Sequence, residues 1–276
     1  MTARVSCSEF SFPAIPSQAD RIAVVRALGF ELVDVALFLD DDAPLVADPA
    51  GVAARIQLAL QTQGLAAPDL FYATGETFDE IAPNHRDPAV REQRRAGFAA
   101  AAEVAAALGI RGMTILPGIS WADDPDGAWA SCVEELGWRV ERAGALGVEV
   151  RIEAHAGGIA ALPEQAARLF NQVPGLRLTL DVSHFELQSI ELDRVLPLVP
   201  HASHMHVRAA KSGAIQIPWR DNEIDFQVVL DALTVSGYEG AFCVEYRPMA
   251  KWRCDELDAL SESDETRRWL NERGVY

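Results

Sequence analysis

Eight short apolar runs alternate with helical patterns along the whole chain, and this alternation limits the fold more than any other feature. The strand-like runs are Arg4–Cys7, Leu32–Leu39, Asp69–Ala73, Met113–Leu116, Val148–His155, Leu176–Asp181, Ser203–Arg208 and Ala241–Tyr246. Helical periodicity occupies 18–28, 50–63, 88–108, 125–146, 163–172, 191–198 and 226–236. In 88–108, Val90, Gly97, Phe98, Ala101, Val104, Ala105 and Leu108 recur at helical spacing and Gly109 supplies a stop. Asp225 is a natural N-cap for 226–236, with Gly237 just past its end. Eight units in 276 residues give about 34 residues each, the size of a βα repeat. No Pro/Ser-rich linker divides the chain, so residues 1–276 read as a single α/β domain, a (β/α)8 TIM barrel with a C-terminal helical extension from about 255. A doubly wound open sheet would announce itself with a glycine-rich first turn, and Ser8-Glu9-Phe10-Ser11-Phe12 is not one. A barrel carries its chemistry at the C-terminal ends of its strands.

Composition narrows the partners. With 24 Lys+Arg against 41 Asp+Glu the formal charge is −17, an unfavourable surface for nucleic acid. No apolar run reaches the roughly 20 residues of a membrane span. The first residues, Met1 to Phe10, lack the apolar core of a signal peptide. Cys7, Cys132, Cys243 and Cys254 are far apart, with no Cys-x-x-Cys. The expectation is a cytoplasmic protein with no membrane or nucleic-acid partner.

The last four strands, read with period 2, agree with one another. Val148, Val150 and Ile152 share one face, and Glu149, Arg151 and Glu153 the other. Leu176, Leu178 and Leu180 oppose Arg177, Thr179 and Asp181; Met205 and Val207 oppose His204, His206 and Arg208; Phe242, Val244 and Tyr246 oppose Cys243, Glu245 and Arg247. The apolar face belongs under the helices, so the polar face points into the barrel lumen. Glu153, Asp181, His206 and Glu245 then all reach the lumen at or near strand ends. Three converging carboxylates repel one another unless a cation compensates. One imidazole and three carboxylates suit one divalent ion, Mn²⁺ first, with Mg²⁺, Co²⁺, Zn²⁺ or Fe²⁺ as alternatives. The competing reading is that Arg151, Arg177, Arg208 and Arg247 neutralise these acids in a structural network.

The runs Ile152-Glu153-Ala154-His155, Leu180-Asp181-Val182-Ser183-His184, Met205-His206-Val207-Arg208 and Val244-Glu245-Tyr246 resemble the xylose-isomerase-like sugar isomerase/epimerase superfamily. Its members include ketose 3-epimerases, hydroxypyruvate isomerase, inosose dehydratase and endonuclease IV. Glu223-Ile224-Asp225-Phe226 and Gly237-Tyr238-Glu239-Gly240 also resemble the stretch before its last strand. The resemblance implies that Glu153, Asp181, His206 and Glu245 are metal ligands and that His184 contacts a substrate oxygen. It further implies that Glu153 and Glu245 are the two opposed bases that remove and return a proton. The chain departs from the family's frequent Asp two residues after the strand-7 His, where it has Arg208, and it offers Lys211 where ketose 3-epimerases carry a substrate Arg further along.

A metal-chelated ketose carbonyl acidifies the neighbouring C–H by stabilising an enediolate. The expected activity is a metal-dependent isomerase or epimerase of a sugar or keto-polyol, with a β-eliminating lyase on a keto-sugar or keto-inositol as the alternative. His155 reads as a side chain orienting a carboxylate or substrate, or as a satisfied interior histidine. Arg208 reads as a grip on a substrate oxygen or as a salt-bridge partner of Asp181 or Glu245. Trp121 and Trp219, in loops after strands 4 and 7, offer faces for a sugar or plain packing. His204 reads as structural, Ala209–Asn222 as a lid-length loop, and Asp40-Asp41-Asp42 and Asp123-Asp124-Pro125-Asp126 as solvated or helix-start charge. A nuclease is disfavoured because strands 1 to 3 end without histidine. A non-catalytic sugar- or partner-binding barrel has no need of two opposed bases. A homo-oligomer, or a subunit of a larger enzyme, stays open.

Overall fold

Parallel pairing closes eight strands into a barrel in the order β1 to β8 in this computed structural model, which describes residues 4–276. The strands are β1 (Val5–Ser8), β2 (Leu32–Leu39), β3 (Leu70–Thr74), β4 (Gly112–Ile115), β5 (Glu149–Glu153), β6 (Arg177–Asp181), β7 (Ala202–Val207) and β8 (Phe242–Val244). This is the (β/α)8 architecture expected from the repeat, with boundaries displaced by a residue or two at most strands. The expected helix at 191–198 is a short α turn, Leu192–Val195, running into a 3-10 segment, Leu196–His201. Pro197 and Pro200 each lack a backbone N–H, which limits regular α pairing there. Among the described residues no helix is long and apolar enough to cross a membrane.

Contacts divide the chain into two compact units. The first comprises residues 4–35, Leu58–Pro68 and Thr179–Tyr276. Here β1 pairs with β2 through Ser8↔Asp34 and with β8 through Ser6↔Cys243, while β7 sets His206 beside Cys243. Asp225 caps Phe226–Val235 by accepting from Gln227 N and Val228 N, as its sequence position predicts. Buried Tyr246 ties the end of β8 to its surroundings: its hydroxyl accepts from Ala209 N at 3.0 Å, and its backbone N–H donates to Ser11 Oγ at 3.1 Å. Trp219 stacks on Phe226, with ring centroids 5.5 Å apart, and meets Trp269 of the helix Ala259–Asn271 edge-on at 5.3 Å.

The second unit comprises Ala36–Gln57 and Asp69–Leu178. Its registers, Leu70↔Met113 and Thr114↔Arg151, set β3, β4 and β5 side by side. The helices Pro88–Ala107 and Pro125–Gly144 begin at Asp87 and Asp124, whose side chains accept from Ala89 N and Gly127 N. Asp42 stands at the N-cap position of the short helix Ala43–Ala47, as helix-start charge, and it is buried rather than solvated. It accepts from Tyr72 Oη at 2.8 Å, from Thr74 Oγ1, and from Arg94 Nη1 at 3.2 Å. Those three donors offset its desolvation. Gly97 lets the helix approach this acid: a Cβ there would lie 2.3 Å from Asp42 Cγ. On the helix Pro125–Gly144, Glu135 is buried with Arg139, one turn further along, at 2.6 Å and with Arg95 at 2.9 Å.

Candidate active site

The four residues singled out from strand parity come together. Glu153 and Asp181 are the last residues of β5 and β6, His206 is the penultimate residue of β7, and Glu245 follows β8. Each presents one ligand atom, all of these atoms lie within 4.8 Å of one another, and all four residues are buried. The local sequence explains the aim. Ile152, Leu180, Val207 and Val244 are fully or almost fully buried neighbours of the polar four, so alternation along each strand turns the polar side chain to the opposite face. The donor set, one imidazole nitrogen and three carboxylate oxygens in a dry setting, fits a hard or borderline divalent ion.

Asp181 is held on both oxygens. Its Oδ1 accepts from Ser183 N at 2.9 Å and from Ser183 Oγ at 2.5 Å, and its Oδ2 accepts from Arg208 Nη2. Arg208 bridges both acids, since its Nη1 also lies 3.3 Å from Glu245 Oε2. Its Nε donates to Ser183 Oγ at 2.9 Å, and its Nη2 lies 3.2 Å from His184 Nε2. His206 Nδ1 stands 3.5 Å from Glu245 Oε2. Arg151 pairs with Asp69 and Glu149, both at 2.9 Å, and Arg177 with Glu149 at 3.8 Å. Arg247 lies over the Phe10 ring.

The remaining candidates are placed as follows. His184 is buried beside Asp181 and Arg208. His155 is buried, with Nδ1 2.9 Å from Ala156 O and its ring against Phe78. Lys211 is exposed, on a turn where its N–H donates to Ala214 O. Trp121 is half-buried under the Arg86 guanidinium, and Trp219 belongs to the aromatic cluster with Phe226 and Trp269.

A second group passed unnoticed in the sequence. Asp34, His204, His206 and Cys243 also bring ligand-type atoms within 4.8 Å of one another. His204 Nε2 is 2.5 Å from Asp34 Oδ2, while Asp34 Oδ1, His204 Nδ1 and Ser6 Oγ are buried without a hydrogen-bond partner. Burial works to raise the Asp34 pKa, but the facing His204, through its charge and its hydrogen bond, holds it below the ordinary carboxylate value. Burial, and after it the Asp34 charge, pushes the Cys243 thiol well up, so it stays protonated. The available signal was an acid in the middle of an otherwise apolar strand, Leu32-Val33-Asp34-Val35-Ala36-Leu37.

A family model described as a xylose isomerase-like TIM barrel matches residues 22–273. No curated protein matches the chain by sequence. Among solved structures, D-allulose 3-epimerase from Methylomonas sp. in complex with D-allulose is similar to it, with a TM-score of 0.78 and 16% identity over 99% of this chain and 97% of that one. The IOLI protein with a bound zinc atom follows at TM-score 0.74 and 17% identity, over 99% and 98%. The 3-keto-D-glucoside 4-epimerase YcjR from E. coli gives 0.70 and 14%, covering 99% of each chain.

Proposed function

Because the chain belongs to the xylose isomerase-like TIM barrel family, we propose that it is a divalent-metal-dependent isomerase or epimerase of a sugar or keto-polyol. The observation that carries this reading is the convergence of Glu153, Asp181, His206 and Glu245 on one buried point. The names of the similar structures, two sugar epimerases and a zinc-containing barrel, support it.

Glu153, Asp181, His206 and Glu245 would hold the ion. When bound, it supplies Lewis acidity toward a substrate carbonyl and its neighbouring hydroxyl. The chain's own part is proton transfer at the carbon beside that carbonyl. One glutamate, Glu153 or Glu245, removes the proton with its carboxylate oxygen, and the other returns one from the opposite side. Return to the same carbon inverts it, and return to the neighbouring carbon exchanges aldose for ketose. Asp181 is held by Ser183 on one oxygen and by Arg208 on the other, so its role is positional. His184, beside Arg208, is placed to hydrogen-bond a substrate oxygen.

The test is metal stoichiometry and proton exchange together. Protein loaded with Mn²⁺ should hold about one ion per chain by elemental analysis, and Asp181→Ala should lose it. A screen over keto-sugars and keto-inositols in deuterated water should find a substrate that incorporates deuterium. Glu245→Gln should reduce that rate by about 10²–10⁴-fold while the fold persists. A loaded protein that holds no metal, or full exchange in Glu245→Gln, overturns the reading.

A further inference from the structure

Arg208 occupies an unusual position for a cation in a site built to hold one. Its side chain is 3% exposed, and its guanidinium spans Asp181 Oδ2 and Glu245 Oε2, oxygens of two of the four acid and imidazole residues that converge there. The charges are simple to count. Glu153, Asp181 and Glu245 contribute −3 and Arg208 contributes +1, so these residues carry −2 with His206 neutral. A divalent ion brings them to zero. Arg208 cannot lose its proton to relieve the crowding, because a guanidinium stays charged in a protein. Once a divalent ion takes up the charge of Asp181 and Glu245, the guanidinium faces a like charge across the same two acids. An anionic group on a ligand would relieve that like-charge contact.

We propose that Arg208 is the recognition group for a carboxylate on the substrate, passing to it from Asp181 and Glu245 as the metal loads, so that the protein acts on keto-sugar acids rather than neutral ketoses. This rests on the metal-dependent reading above. The local construction favours a short transfer. Ser183 Oγ accepts from Arg208 Nε at 2.9 Å and itself donates to Asp181 Oδ1 at 2.5 Å, so the guanidinium is pinned at Nε while its two terminal nitrogens face the acids. A planar fork of that kind matches a carboxylate with two parallel hydrogen bonds, which a sugar hydroxyl cannot return. Charge selects in the same direction. Without Arg208 the metal-loaded group would carry −1 and repel an anionic substrate; with it the group is neutral. One guanidinium also matches the single charge of a carboxylate better than the double charge of a phosphate monoester.

The test uses two ligand pairs that differ only by a carboxylate in place of a terminal CH2OH: 2-keto-D-gluconate against D-fructose, and 5-keto-D-gluconate against L-sorbose. Calorimetric titration of Mn²⁺-loaded wild-type protein should give at least about tenfold tighter binding of the acid in one pair, and Arg208→Gln should abolish that preference. Independently of any sugar, Arg208→Gln should bind Mn²⁺ at least about tenfold more tightly than wild type, because a competing cation has left the same acids. Arg208→Lys, which keeps the charge and loses the fork, should hold Mn²⁺ near the wild-type affinity and still lose most of the preference. It serves if Arg208→Gln does not fold. Equal affinities within both pairs, failure of both keto-acids to bind, a preference that survives in either variant, or Mn²⁺ affinity not raised in Arg208→Gln overturns the proposal. Failure of the metal reading looks different: wild type and Asp181→Ala then take up no Mn²⁺ at all.

Discussion

Asp181→Asn in metal-free protein isolates the electrostatic tie at the centre of the site. The carboxylate is 1% exposed, with Oδ1 engaged by Ser183 N and Oγ and Oδ2 by Arg208 Nη2. Asparagine keeps the shape, but its amide nitrogen must face either the Ser183 donors or the Arg208 donor, setting donor against donor. Breaking a buried ion pair from one side costs about 3–5 kcal/mol. Arg208 retains Glu245 at 3.3 Å, so the lower end applies, about 3 kcal/mol. Arg208→Met approaches the same pair from the other side. It leaves Asp181 and Glu245 without their shared cation, again at about 3 kcal/mol. The double variant removes both charges of the pair, so its cost should stay near 3 kcal/mol rather than the sum, a coupling of about 3 kcal/mol. Urea unfolding in the presence of a chelator, followed by tryptophan fluorescence, measures all four proteins. Single costs that add to the double within about 0.5 kcal/mol would refute the argument that Arg208 and Asp181 form a tight buried pair.

Two further perturbations probe the scaffold. Glu135→Gln leaves the buried Arg139 without its 2.6 Å partner and also loosens Arg95 and Arg91, so stability should fall by about 3–5 kcal/mol; Glu134→Gln next to it, exposed, should change it by less than about 0.5 kcal/mol. Equal effects in denaturant unfolding would contradict the network. Asp258 caps the helix Ala259–Asn271 through Leu260 N, and Asp258→Ala should cost about 1 kcal/mol at neutral pH. The Ser261 hydroxyl first, then backbone N–H groups, hold the Asp258 pKa below its ordinary value. Its contribution is therefore present above the unfolded-state pKa and disappears as pH falls through the lowered one, so the gap between variant and wild type should close in acid.

What could be read from the chain follows from how far each cause reaches. Strand periodicity is local, and β2 lies over the expected residues 32–39 while the other strands shift by a residue or two. Parity is also local, which is why the shared face of Glu153, Asp181, His206 and Glu245 is legible in the sequence. Partners are not local. Asp42 looks solvated within its acidic run because Tyr72, Thr74 and Arg94 lie 30, 32 and 52 residues away. Asp34 and His204 meet across 170 residues, and a loop tryptophan such as Trp219 gives no hint that Trp269 will pack against it. Arg208 is the most instructive of these. Its parity put it on the lumen face, but whether it would serve a ligand or a salt bridge depended on Ser183, which fastens both Asp181 and the guanidinium. That serine was not singled out, since nothing in Asp181-Val182-Ser183-His184 distinguishes it from a helix-start residue. Periodicity decides which side of the sheet a charge occupies; the balance of charges there is decided by residues distant in sequence. Among Glu153, Asp181, His206, Glu245 and Arg208 the balance is three carboxylates against one guanidinium, and two positive charges are what that group lacks.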